Sequence, residues 1–519
     1  MRLFDFFDYY AREFGDVEYV IYGKQSLTYH QAWLAINQLA NTFISSGLEA
    51  GDRVAILSKN SIEYLILYFA AAKAGVVPVP LNFRLSPKEW VYIINDSQTK
   101  LLLTSAAYVE AIDSIRGELN TVSRFIAIDA PEKDSWQDYR NWISSQPTTP
   151  PTLVINDEQD VYQMYTSGTT GHPKGAVLSH HAVTSNLFQM HSFMEGQRGE
   201  RFLVVAPLYH AAAVLGSFIC TYQCGTIYLQ EDFNPIEVVR ALSNENITRA
   251  GLVPAMIQAC LTYVPNIADK DFSALKTIVY GASPISESTL RKAMEIFKCD
   301  FIQIYGMTET TVALTTLLAK PHKMALDGNP GLLLAAGRPV PNTQIRIVDS
   351  EDNDLPLGAT GEIIARGPQL MKGYWNKPEA NAETLRGGWM HTGDAGYIDP
   401  DGFLYVQDRV KDMIVSGGEN VYPRAVEDVL YQYPSIIDAA VIGVPDEKWG
   451  ETVKAIVVLR KGETAKAEDI INFCRERLGG FECPTSVDFV ETLPRNPSGK
   501  VLKRELREPY WVGYKRRVS

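Results

Sequence analysis

The sequence predicts an α/β protein. It should have a large N-terminal domain of helix-covered parallel sheets with a small β-rich subdomain, followed by a small mobile α+β C-terminal domain. Three observations predict this. Short apolar runs alternate with helical patterns over the first two thirds of the chain, the rhythm of parallel strands covered by helices. After about residue 335 the runs shorten and tight turns separate them. At 519 residues the chain is too long for one ordinary core, so two or more domains are expected.

The elements follow in order. Leu34, Leu39, Phe43 and Ile44 form a helical stripe that stops at Gly47. Residues 53–57, after Gly51 and Asp52, read as a short buried strand. Residues 62–74 read as a helix and 76–80 as an extended segment. Strand-like runs continue at 101–104, 161–166, 202–206, 226–229, 250–253, 277–280 and 301–304. Helical patterns separate many of them, one beginning near Ser179 with Leu187 and Met190 on its apolar side. Beyond 335, short strands are expected at 344–348, 361–366, 396–398 and 403–406, with Asp401-Gly402 as a tight turn. Past Arg409 the texture becomes α+β, with helices at 424–431 and 467–478 and strands at 439–442 and 455–459. The charged run Asp408-Arg-Val-Lys-Asp412 abuts Ser416-Gly-Gly418, which places the boundary there. The predicted organisation is a domain over 1–408 with its β-rich subdomain at about 335–408, a hinge at 409–412 and a domain over 413–519.

Composition narrows the function classes. The apolar fraction of 46% and charged fraction of 21% are those of an ordinary globular protein. A net charge of −12 argues against general nucleic-acid binding. The basic tail (Lys503, Arg504, Arg507, Lys515, Arg516, Arg517) fits a solvated terminus, with weak contact to an anionic membrane surface as the second reading. No apolar run reaches membrane-spanning length, and the N-terminus has acids inside its apolar run and no small-residue cleavage site. The six cysteines show no zinc spacing and read as reduced core thiols. A cytoplasmic protein is expected.

One stretch carries chemistry by composition alone. Tyr165-Thr-Ser-Gly-Thr-Thr-Gly-His-Pro-Lys-Gly175 combines three glycines, four aliphatic hydroxyls and a lysine. Glycines let backbone N–H groups come close to an anion, hydroxyls donate, and Lys174 supplies a point charge for phosphate. The same composition fits a solvated turn. Its place after a strand-like run and before a helix favours the anion-binding reading, although the common nucleotide loop G-x-x-x-x-G-K-[ST] does not fit. Four further clusters follow: Tyr305-Gly-Met-Thr-Glu-Thr310, Trp389-Met-His-Thr-Gly-Asp394, Arg409 through Ser416-Gly-Gly-Glu-Asn-Val-Tyr-Pro423, and Pro494-Arg-Asn-Pro-Ser-Gly-Lys500. Each alone reads as a polar turn.

Together, in this order and across nearly the whole chain, the five clusters resemble the acyl-adenylate-forming superfamily of acyl-CoA synthetases, adenylation domains and firefly-type luciferases. Within it the chain looks most like a bacterial fatty acyl-CoA synthetase. The resemblance implies ATP, Mg²⁺ and coenzyme A, and it implies roles residue by residue. The 165–175 loop would cradle the ATP phosphates through Thr166, Ser167, Gly168, Thr169, Thr170, Gly171 and Lys174. Tyr305 and Gly306 would lie against adenine, with Gly281, Ala282 and Ser283 bordering both adenine and acyl pocket. Thr308 would contact the α-phosphate. Glu309, with Thr166 beside it, would hold Mg²⁺. Asp394 would take the ribose hydroxyls, assisted by Arg409. Lys411 would sit at the hinge, and Lys500 would reach the reacting carboxylate and α-phosphate. His210, alone an ordinary strand-end histidine, would stand beside the acyl pocket. Gly417 and Gly418 would line the pantetheine tunnel, Trp449 would pack on pantetheine, and Phe473 with Arg475 would meet the CoA nucleotide. A solvated helix face explains Arg475 equally well.

The implied reaction is activation of an apolar carboxylic acid, most simply a medium- or long-chain fatty acid, to acyl-AMP and then its transfer to CoA. The alternatives are an aryl acid ligase of the benzoate or cinnamate type and an acyl-AMP ligase that loads a carrier protein. An amino-acid substrate is disfavoured, since Ala211-Ala-Ala-Val-Leu-Gly216 lacks the aspartate an ammonium group needs. A homodimer is compatible with this reading.

Overall fold

The computed structural model describes residues 1–129, 135–166, 172–194, 196–283, 285–417, 419–446, 448–495 and 501–512. The mixed α/β architecture is as the sequence predicts. Its centre is a nine-stranded sheet. Six strands run parallel in it, in the order Asp300–Tyr305, Thr277–Gly281, Ile247–Gly251, Arg201–Val204, Thr226–Leu229 and Glu18–Tyr22. Antiparallel strands finish both edges, Gln25–Thr28 on one side and Thr315–Leu317 with Arg338–Pro339 on the other. A second sheet is wholly parallel: Val77–Pro80, Arg53–Leu57, Thr99–Ser105, Arg124–Ile128 and Gln137–Asp138. Strands such as Arg53–Leu57 are buried along their whole length, as parallel strands covered on both faces must be.

The helix Ile62–Ala74 is apolar on nearly every side and lies in the core of this domain. The Ser61 hydroxyl accepts the Tyr64 N–H at 3.2 Å to start it, and Gly75 at φ 71° ends it in the left-handed conformation that glycine tolerates best. Within it Lys73 is only 3% exposed. Its ammonium donates to Asp8 Oδ1 and, at 2.7 Å, to Asn37 Oδ1. Burial lowers the Lys73 pKa and Asp8 opposes that shift. Asp8→Asn keeps the acceptor but removes the compensating charge. It is expected to cost about 2 kcal/mol, below the range for a fully buried pair because Asp8 is partly solvated. The urea midpoint reads this. Adding Lys73→Met to Asp8→Asn should recover most of the loss, and an unchanged midpoint for Asp8→Asn would show that the carboxylate charge is not needed.

Two small antiparallel sheets frame the large domain. One is Gln344–Val348, Gly361–Arg366, Met390–Ile398 and Leu404–Arg409. The other is the hairpin Asp160–Thr166 with Lys174–Ser179, extended by Gly373–Tyr374. The sequence reading missed the strand Lys174–Ser179, taking the chain from the loop straight into a helix. Residues 174–179, Lys-Gly-Ala-Val-Leu-Ser, are too few to show a period. The helix follows at His180–His191, where the Ser179 hydroxyl accepts the Ala182 N–H at 3.2 Å. The segment 335–408 also does not stay within one sheet. Arg338–Pro339 joins the large sheet and Gly373–Tyr374 joins the hairpin.

The C-terminal region has its own core, with Val426, Leu430, Val441, Ala455 and Ile470 between helices Pro423–Leu430 and Ala467–Arg475 and a mixed sheet. That sheet contains Glu419–Val421, Ile414–Ser416, Gly450–Leu459, Ile436–Asp446 and Ser486–Phe489. The predicted helix over 467–478 ends earlier, at Arg475. A half-buried ion triad ties this region to Leu404–Arg409, with Lys503 Nζ 3.0 Å from both Asp408 Oδ2 and Glu427 Oε1. All six cysteines are free thiols, five of them buried. Among the described residues no helix is long and apolar enough to cross a membrane.

Candidate active site

A cavity of about 1240 Å³ opens at the carboxyl ends of the parallel strands, where open α/β sheets place ligands. Gly251, Gly281 and Ile304, each at or near the end of its strand, line it together with the helix Ala211–Tyr222. The hairpin brings both ends of the glycine- and hydroxyl-rich stretch to this cavity. Thr166 and Lys174 are partners across the hairpin, and both line the cavity. The loop residues between them that the sequence singled out (Ser167, Gly168, Thr169, Thr170 and Gly171) lie outside the described residues.

After the strand Asp300–Tyr305 the chain turns sharply to present Thr308 and Glu309. The turn is possible because of glycine. A Cβ on Gly306 would lie 1.8 Å from the Val312 carbonyl oxygen, and one on Gly281 would lie 2.1 Å from that of Ile304. The Thr310 hydroxyl closes the turn, accepting the Met307 N–H at 3.0 Å. Glu309 is 8% exposed. Its Oε1 accepts the Tyr374 hydroxyl at 2.8 Å and the Thr166 hydroxyl at 3.3 Å. Burial, and then the Glu309 charge, push the Tyr374 pKa far up, so its proton stays on to donate. Lys174 Nζ stands 5.0 Å from the centre of the Tyr374 ring. Carboxylate and hydroxyl oxygens in a buried setting are the donor set that Mg²⁺ prefers, and such a carboxylate needs a compensating positive charge. The residues therefore fit that ion.

Asp394 and Arg409 pair in register across Met390–Ile398 and Leu404–Arg409. Arg409 Nε meets Asp394 Oδ1 at 2.7 Å, and the Tyr305 hydroxyl donates to Asp394 Oδ2 at 2.8 Å. Burial works against the Arg409 charge, but Asp394, Tyr305 and Glu309 outweigh it and the guanidinium pKa is raised. The Tyr305 pKa is raised by burial and then by Asp394. Ala282 lines the cavity at φ 67°, and Ser283 follows it, half-buried. His210 stands at the cap position of Ala211–Tyr222, facing the cavity, with its ring 4.3 Å from that of Tyr209.

The predicted CoA-side residues are more scattered. Gly417 is needed for a reason the sequence did not show. It sits at φ 62°, and a Cβ there would meet the Trp449 ring at 2.6 Å. The indole therefore packs on Gly417 while staying 48% exposed. Phe473 is covered by Arg477 at 3.7 Å and edge-on by Tyr433, and Arg475 is exposed beside Asn472. The backbone of Lys411 lies in the short turn Val410–Asp412. The side chain of Lys411, and all of Gly418 and Lys500, lie outside the described residues.

Sequence reasoning missed Tyr374. It comes from a two-residue strand, two hundred positions after Lys174, and no motif marks it. It also missed a cluster of Asp352, Glu362 and His391 whose ligand atoms lie within 4.8 Å of one another. Arg386 already fills the cationic place in that cluster, 2.8 Å from Asp352 and 3.4 Å from Glu362.

Two family models match the chain: "AMP-binding enzyme" over residues 7–375 and "AMP-binding enzyme C-terminal domain" over residues 425–500. The chain is 36% identical over 500 residues to a fatty acid–acyl-carrier-protein ligase, ScoC, of Streptomyces coeruleorubidus, covering 95% of this chain and 94% of that protein. It is 37% identical over 494 residues to a feruloyl-CoA synthase of Amycolatopsis, covering 95% of each. It is 34% identical over 487 residues to the long-chain-fatty-acid–CoA ligase FadD13 of Mycobacterium tuberculosis, covering 93% of each. Among solved structures, ATP-bound MatB from Rhodopseudomonas palustris superposes with a TM-score of 0.89 at 28% identity, covering 99% of this chain and all of that one. A fatty acyl CoA synthetase of Mycobacterium tuberculosis superposes with a TM-score of 0.77 at 32% identity, covering 98% of each chain.

Proposed function

The chain belongs to the AMP-binding enzyme family and is an AMP-forming acid–thiol ligase; we propose that its acid is an aliphatic fatty acid of medium or long chain and that CoA is the acceptor. The observation that carries the choice of acid is the wall of the cavity away from Glu309. Among the described residues, Met190, Met194, Phe202, Gly216 and Ile219 line it without a hydroxyl, amide or charged side chain, and the nearby Gln223 and Arg249 are engaged with the Met194 carbonyl and each other rather than lining the cavity. A hydroxylated aryl acid would bury its phenol there without a partner, at a cost of about 1–3 kcal/mol. An alkyl chain loses nothing in that wall.

The proposed chemistry uses the residues as the geometry arranges them. A carboxylate oxygen of the acid attacks the α-phosphorus of ATP, the bond to the bridging oxygen breaks, and pyrophosphate leaves. Lys174 would hold the departing phosphates together with the loop it borders. Thr308 would donate to the α-phosphate. A carboxylate offers about four acceptor positions, so Asp394, with one taken by Arg409 and one by Tyr305, still has room for ribose hydroxyls. Glu309 and Thr166 would hold Mg²⁺, which when bound offsets phosphate charge. In the second step the thiolate of CoA attacks the acyl carbon and AMP leaves. The two steps need different neighbours around one acyl carbon, which gives a hinge at 409–412 its purpose.

The test is a pyrophosphate-release screen across straight-chain acids from acetate to octadecanoate and across benzoate, cinnamate and ferulate, with and without CoA. Products are identified by mass. Thioester formation with the longer aliphatic acids is expected. Preference for ferulate over every aliphatic acid would overturn the choice of acid. Turnover that ignores CoA and acylates a phosphopantetheinylated carrier protein would overturn the choice of acceptor.

A further inference from the structure

Two glycines in the apolar half of the cavity have no structural reason to be glycine. Gly216 lies inside the helix Ala211–Tyr222, and Gly251 ends the strand Ile247–Gly251. Neither has a positive φ. A Cβ on Gly216 would come no closer than 3.8 Å to any neighbour, and one on Gly251 likewise, both ordinary contacts. A glycine inside a helix is unfavourable relative to alanine, so backbone and packing alike would accept a side chain. In both cases the nearest neighbour is the same atom, Cε1 at the edge of the Phe202 ring. Phe202 itself is 6% exposed and lines the cavity.

The helix supplies a scale. It begins at His210, near the chemistry, and Ala212, Gly216 and Ile219 line the cavity on successive turns. At 1.5 Å per residue, Ile219 lies about 10 Å farther along the axis than Ala212. Gly216 falls between them, level with the edge of the Phe202 ring. An acyl chain running along this face must pass the ring through the space that the two bare backbones leave beside it.

We propose that Phe202, flanked by Gly216 and Gly251, is the gauge that sets acyl chain length in this enzyme. The inference rests on the reading of the substrate as an apolar acid. A methyl at either glycine narrows the passage, and loss of the ring widens it. Pockets discriminate by roughly 10- to 200-fold for one methylene, so single methyl groups here are informative probes.

The experiment measures kcat/KM for a ladder of straight-chain acids with the wild type, Gly216→Ala, Gly251→Ala and Phe202→Ala. Melting temperature and ATP affinity are measured in parallel. The ratio of kcat/KM for the longest accepted acid to that for the shortest is expected to fall by about tenfold or more in each glycine variant. In Phe202→Ala the optimum should move to longer acids. Gly216→Ala should melt no lower than the wild type, which separates the effect from misfolding. An unchanged ratio in all three variants, or an equal loss with every acid, overturns the gauge. Should the wild type activate no aliphatic acid, the substrate reading fails on its own. The gauge is then judged on aryl acids with and without a para substituent, where an unchanged ratio overturns it and a shifted ratio supports it.

Discussion

Lys500→Ala is expected to lower acyl-adenylate formation by roughly 100- to 1000-fold, the usual cost of removing one preorganised charge aimed at a transition state. Thioester formation from supplied acyl-AMP and CoA should stay near the wild-type rate. The asymmetry is the informative part. Negative charge gathers where the acid's carboxylate meets the α-phosphate, and an ammonium group relieves it there. In the second step a thiolate attacks a carbonyl whose phosphate already leaves as AMP, so the same lysine has little to add. Pyrophosphate exchange reads the first half-reaction, and single-turnover mixing with synthetic acyl-AMP reads the second. Equal losses in both would remove Lys500 from the role proposed for it.

Glu309→Gln is expected to reduce adenylation by a comparable factor, about 100- to 1000-fold, for a reason visible in the fold. The substitution keeps the shape and the oxygen that accepts from Tyr374 at 2.8 Å and Thr166 at 3.3 Å. It removes only the charge from a group that is 8% exposed. Folding should survive, and the melting temperature should show that. ATP-dependent binding of Mn²⁺, followed by electron paramagnetic resonance, should weaken at least tenfold, in line with loss of a charged oxygen ligand. Tyr374→Phe removes one hydrogen bond, worth about 1 kcal/mol, and should cost far less. Unaltered Mn²⁺ binding in Glu309→Gln would mean that the carboxylate does not hold the ion.

Much of the fold was legible because its signals are local. Residues 53–57, 344–348 and 361–366 were read with the boundaries they have, since each is a short apolar run between glycines, acids or turns. The elements that were missed have no period long enough to see. Lys174–Ser179 is apolar for most of its six residues, and Gly373–Tyr374 has two. Their strand character comes from pairing with segments far away in sequence. The same holds for the site. Glu309, Asp394, Arg409 and Lys174 stand in the clusters that, taken together and in order, carry the resemblance from which their roles are proposed. Tyr374 and the pairing of Phe202 with Gly216 and Gly251 do not, because a tyrosine, a phenylalanine and two glycines carry no chemistry until something is placed beside them.

By itself, the sequence determined the α/β class and the position of many strands and helices, because periodicity and side-chain type act over a few residues and survive without a partner, and its five ordered clusters carried the resemblance that implies ATP. Only the tertiary structure decided that Thr166 and Lys174 pair across a hairpin, that Glu309 is held by a tyrosine from a remote strand, and that Gly216 and Gly251 both face the edge of the Phe202 ring. Those facts depend on distances between residues tens to hundreds of positions apart, and such distances are set by sheet register and close packing, which no local pattern encodes.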